Sequence, residues 1–410
     1  MNTLPGKRDQ LSVFLLIASI LAFLLAAAGF IGMGLLGTMS WLIDNSAAVG
    51  PTLIIAAAFM VMGLCTLPGI YFGYQGMQGR FPERKEKTFG GWIYICFLFP
   101  IALGLGYLAF NRGVLPILLG PLAHISAAII PVLFALAILF RKGLPISAKR
   151  IWGHFLAGLW ASPIVAFIVE ILAALPLLLI AFATLFQEIN NQGLIENFTS
   201  PEQWNETYLL TQTQNLTNQP LILFLIMAFL IVFVPLAEEA IKTIGIWPVI
   251  RRGFTQYQAF LGGAIAGAGY GLFEAFFLGQ PGVSWVPVMI ARAGATMMHM
   301  ITTALTSLGI ARARESGRWT HALRYYLGAV LLHSLWNISA LGVGVIVLFL
   351  EDLSPSNMEP GLTSISGVAG GVIFALSLTA FLGLWLIPGK LLSREKDKVV
   401  QASNESHPAT

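Results

Sequence analysis

The chain has 410 residues, 57 % of them hydrophobic and only 10 % charged, with a mean hydropathy of +0.79. Soluble domains carry about 25 % charged residues, so a soluble enzyme or carrier is excluded and a polytopic protein of the lipid bilayer remains. The net charge of +4 does not point to nucleic acid, because Lys and Arg gather between the apolar runs. Cys65 and Cys96 lie within such runs and are too few for a disulfide framework or a cysteine-based metal site.

Apolar runs long enough to span a bilayer fall near 11–36, 51–74, 91–109, 113–140, 155–186, 220–245, 258–279, 285–310, 325–350 and 366–389. The first follows Lys7-Arg8 but exceeds the h-region of a signal peptide, about 7–15 residues, and reads as an uncleaved span. This predicts an all-α transmembrane helix bundle of ten spans. Alternating the spans puts 20 of the 23 basic residues on one side. The positive-inside rule then places both termini in the cytoplasm and the protein in the cell membrane as a multi-pass chain. Span five contains Pro163 and Pro176 and predicts a kinked or tilted helix.

The expected organisation is a five-span accessory region (1–186), an acidic extracytoplasmic loop (187–219), a four-span core (220–350), an outer loop with the last span (351–392) and a disordered, charged tail (393–410). No internal repeat is visible.

The core carries polar clusters where water is scarce. An ionisable group at mid-bilayer costs about 2.5–3.5 kcal/mol on insertion scales and is a functional candidate. Glu238 and Glu239 stand four and three residues before Lys242, so the lysine can pair with either. Tyr270 and Glu274 are four apart on a span where Gly263, Gly267 and Gly271 form a smooth face for close helix contact. Arg292, Thr296, His299 and Thr303 make one polar stripe, and Arg292 needs a counter-charge, which Glu274 or Glu170 could supply. His333 and Asn337 face the same way, with Trp336 between them. Taken singly, each cluster also fits a hydrogen bond that locks two helices. Together they supply imidazole nitrogens and carboxylate oxygens from consecutive spans, the donor types that bind zinc. A metal-bound water acidified to near neutral pH, with a nearby Glu as base, is the chemistry of peptide hydrolysis.

Glu238-Glu239-x-x-Lys242, Tyr270-x-x-x-Glu274, His299 and His333-x-x-Trp336-Asn337 resemble the PrsW family of intramembrane metalloproteases, related to the type II CAAX prenyl endopeptidases and more distantly to the Aph-1 scaffold. The resemblance covers roughly 219–345. It implies a zinc-dependent endopeptidase that cleaves membrane-anchored proteins such as anti-sigma factors, through water activated by Glu. It implies that Glu238 and Glu239 are the base and its partner, that His299, His333 and Glu274 are metal ligands and that Asn337 stabilises the oxyanion. Lys242, Tyr270, Arg292 and Trp336 support them. The second motif departs from the family's usual Phe and Glu-Asn with Tyr270 and Glu274-Ala275. At about 1.5 Å per residue, the span limits set Glu274 on the order of 10–15 Å from the level of Glu238, which leaves open a different role as the partner of Arg292. A non-catalytic scaffold subunit and a proton-coupled transporter are the alternative functions.

Overall fold

A computed structural model describes residues 10–43, 45–80, 90–141, 146–191, 220–247, 254–279, 282, 284–352 and 360–406. Among them there is no strand, and ten helices are long and apolar enough to cross a membrane. All-helical structure follows from the solvent: without water, each backbone amide must find its partner within its own segment. Most of the acidic loop 187–219, the outer loop at 353–359 and residues 407–410 lie outside the described residues.

The helices are α1 (Gln10–Leu42), α2 (Ser46–Met77), α3 (Leu98–Asn111), α4 (Pro116–Phe140), α5 (Ala148–Leu156), α6 (Ser162–Asn191), α7 (Pro220–Ala228), α8 (Val234–Ile241), α9 (Gln256–Phe277), α10 (Trp285–Ser316), α11 (Thr320–Asp352) and α12 (Pro360–Ser406). A 3-10 segment, Gly90–Phe97, leads into α3.

Spans five and six break in the same manner. A π-helical turn, Ala157–Ala161, joins α5 to α6, and another, Phe229–Phe233, joins α7 to α8. Each stands just before a proline. Pro163 cannot bond the carbonyl of Leu159 and its ring crowds it; Pro235 does the same to Ile231. The wider turn relieves the clash. In span five, expected to be kinked or tilted, the helix is interrupted by this turn. Pro235 was the sequence signal for its counterpart in span six.

The contacts divide the chain into two compact units, one of Met1–Pro163 with Glu239–Thr410 and one of Ile164–Glu238. In the smaller unit, α6 and α7 line an apolar cavity of about 180 Å³ that includes Leu178, Ile222 and Phe229. In the larger unit α1 pairs with α2, and α4 and α5 pack on α9.

Helix α9 explains that packing. Gly263, Gly267 and Gly271 face α10: a Cβ on Gly271 would stand 2.8 Å from Thr296 Cα, and one on Gly267 2.7 Å from Met300 Cα. Gly262 and Gly269 face the other way, toward His154 and Leu159. With backbone instead of side chains at the contact, dispersion and weak Cα–H bonds act at short range. His124 ties α4 into the same core. Its Nδ1 accepts from Trp285 Nε1 at 3.0 Å, which leaves Nε2–H to donate to the Phe276 carbonyl at 3.1 Å. Both ring nitrogens are satisfied, and the residue is structural.

The tail expected to be disordered is helical through Ser406. Arg394 to Lys398 are good helix formers, and two contacts hold them. Glu395 Oε1 accepts from the Tyr257 amide at 2.9 Å, at the N-terminus of α9, and Lys398 pairs with Glu315 at 2.5 Å.

Candidate metal centre

Glu238, Glu239, Lys242, Tyr270, Glu274, Arg292, His299 and His333 form one chain of contacts built on α8 to α11. Glu238 and Glu239, successive residues of α8, are 5 % and 0 % exposed. Lys242 opens the 3-10 turn Lys242–Gly245 that ends the span and is 1 % exposed. Buried charges survive only when paired. Lys242 Nζ donates to Glu239 Oε1 at 2.9 Å and to His299 Nδ1 at 2.9 Å, and it stands 4.2 Å above the Tyr270 ring. The i,i+3 pairing to Glu239, one of the two that the spacing allowed, is present.

The tautomers follow from Lys242. An ammonium only donates, so Nδ1 of His299 is an acceptor and Nε2 carries the proton. That N–H donates to Glu274 Oε2 at 2.8 Å. The same Glu274 oxygen accepts from Arg292 Nη1 at 2.9 Å. His333 Nδ1 donates to Glu239 Oε1 at 2.9 Å, which leaves the lone pair on Nε2. Each histidine thus has one nitrogen fixed by a carboxylate, the pattern that orients an imidazole for a metal at its other nitrogen. The two rings stand edge to face, 5.2 Å between centroids.

Glu238, His299 and His333 each offer a ligand atom, all within 4.8 Å of one another and all buried. Three buried donors of nitrogen and oxygen type match a divalent ion. The charge count agrees: three carboxylates against Lys242 and Arg292 leave one negative charge for a cation to balance. Glu239 Oε2 is buried and has no hydrogen-bond partner among the described residues. An acceptor left so is costly and suits a group that handles a water.

The structure puts Glu238, rather than Glu274, with the two histidines. Glu274 bonds His299 and Arg292 and so supplies the counter-charge that Arg292 needs. Lys242 and Glu274 reach His299 at its opposite ring nitrogens. Asn337 lies one turn beyond His333 on α11 and is half-buried. Trp336 is 2 % exposed and packs against Ala295 and Met298 of α10. Thr302 and Thr303 are fully buried, with Thr302 Oγ1 bonded to the His299 carbonyl at 3.3 Å.

Sequence reasoning missed Gly267 as a residue of this centre. A Cβ there would collide with the His299 carbonyl oxygen, so its absence lets the histidine's backbone seat against α9. The four-residue glycine spacing was the signal.

Comparison with curated proteins and with solved structures gave no match. Residues 155–351 match the PrsW family of intramembrane metalloproteases, a stretch that holds every residue of the cluster. Over that stretch, just under half of its length, the chain is similar to the PrsW family, metal-dependent peptide hydrolases of the membrane.

Proposed function

We propose that this protein hydrolyses a peptide bond in membrane-anchored protein substrates, such as an anti-sigma factor, from the cell membrane. Glu238, His299 and His333 would hold a zinc ion and Glu239 would be the base. The observation that supports this reading is the buried Glu–His–His donor set with Glu239 Oε2 open beside it. The bound ion would supply Lewis acidity, polarising the scissile carbonyl and acidifying water. Glu239 takes the proton of the attacking water on Oε2 and returns it to the leaving amine. Its Oε1 meanwhile keeps His333 in register. Glu274, clamped by Arg292, holds the proton on His299 Nε2 and so presents Nδ1 to the site. Asn337 donates its side-chain amide to the oxyanion. Lys242 balances Glu239; were His299 Nδ1 to hold the ion, the Tyr270 face at 4.2 Å would still receive the ammonium. The family match does not favour the scaffold or transporter alternatives.

Cleavage of a membrane-anchored reporter by the reconstituted protein tests this. Glu239→Gln and His333→Ala should each lower the rate by about 10²–10⁴-fold while the melting temperature stays near wild type. Undiminished cleavage by either folded variant refutes the assignment.

A further inference from the structure

A second group of charged side chains, remote in sequence from the metal centre, gathers where α4 ends and α12 leaves its span. A cavity of about 540 Å³ opens there, lined in part by Arg141, Trp385, Leu386, Lys390, Ser393 and Arg394. Its lining holds three cations and no carboxylate. Arg141 is held rigidly: its guanidinium lies 3.7 Å from the Trp385 ring centroid and donates to the Trp385 carbonyl at 2.5 Å. Lys390 and Arg394 are one turn apart on the same face and exposed, and neither has a hydrogen-bond or ion-pair partner among the described residues.

The neighbouring cavity, of about 570 Å³, shares Arg394 and makes an internal comparison. There Glu315 and Glu395 answer Lys398 and the α9 N-terminus. The Arg141 cavity has no such internal anion among the described residues. Three like charges converging on one space repel each other unless an anion enters. The wall below is apolar: Phe134 of α4 stacks on Phe381 of α12 at 6.2 Å, and Leu386 is 50 % exposed. A tryptophan at the rim and cations above an apolar wall mark the level of the lipid headgroups.

We infer that this cavity binds the phosphate of an anionic phospholipid. Arg141 and Arg394 donate to the phosphate oxygens, a geometry that suits guanidinium. Lys390 adds charge, Ser393 adds a hydroxyl, and Leu386 lies along the acyl chain. The inference does not depend on the peptidase reading.

The test uses the full, delipidated chain in detergent, titrated with phosphatidylglycerol, phosphatidylcholine or inorganic phosphate and read by native mass spectrometry. Phosphatidylglycerol should bind at least about tenfold more tightly than either other probe. Lys390→Gln/Arg394→Gln should reduce it to the phosphatidylcholine level, while Lys390→Arg/Arg394→Lys should retain it and show that the fold tolerates change there. Arg318→Gln, which removes a basic charge elsewhere, should leave it unchanged. Equal binding of the two lipids, full binding by the glutamine double variant, or equal loss in Arg318→Gln overturns the site. Inorganic phosphate binding as tightly as phosphatidylglycerol overturns the lipid as its source.

Discussion

Helices α1 and α9 are both apolar enough to cross a membrane, yet they stand in opposite environments. The most apolar window of α1 has a hydropathy of 2.7 and is 17 % buried; that of α9 has 1.3 and is 83 % buried. In water the order would be reversed. In lipid, leucine gains nothing by turning inward, since the solvent is as apolar as the core. What turns inward is what lipid cannot satisfy, together with the small residues that allow close approach. The spans of α9, α10 and α11 have the three lowest hydropathies, 1.3, 1.2 and 1.3, and they carry Glu274, Arg292, His299 and His333. Low hydropathy in an apolar chain is therefore a pointer to the site, whereas α1 offers Phe14, Leu21 and Leu35 to the bilayer.

The contrast can be broken most severely at one glycine in each helix. Gly267→Leu drives a side chain into the His299 backbone, and the destabilisation should exceed about 4 kcal/mol, seen as lost monodisperse protein or a collapsed melting temperature. Gly32→Leu in α1, where a new Cβ meets nothing within 4 Å, should change stability by less than about 0.5 kcal/mol. Similar stabilities for the two variants would deny that α9 and α10 approach so closely.

A smaller effect sharpens the role of the charged stripe. Glu274→Gln keeps an acceptor for His299 and Arg292 but loses its charge. Metal affinity should fall about 10–100-fold with little change in melting. No change would mean that Glu274 does not orient His299, and complete loss of metal would make it a ligand. The smallest effect is expected at Trp336. Its indole N–H has no partner among the described residues, so Trp336→Phe should lower stability by less than about 1.5 kcal/mol. A larger loss in the unfolding curve would reveal a hydrogen bond to something bound.

The ten spans were legible because each run is long and the basic residues gather in alternate loops. The pairing of Lys242 was half legible: helical spacing allowed both glutamates, and only the arrangement of α8 against His333 selects Glu239. How the clusters meet was less legible. Sequence spacing within one helix says which face a residue shares, but not how far a lysine or glutamate side chain reaches between helices, so the contact of Glu274 with His299 could not be read from it. The tail from residue 393 was misread as disordered because its charges look solvated in isolation. Their partners, the Tyr257 amide and Glu315, lie more than 80 residues away in the chain.

The most direct measurement is the metal content of the purified protein after exposure to zinc, by elemental analysis of wild type, Glu239→Gln and His333→Ala. About one ion per chain is expected in wild type and in Glu239→Gln, whose amide oxygen still accepts from His333, and none in folded His333→Ala. An empty wild type, or an ion retained by His333→Ala, would contradict the Glu238–His299–His333 site.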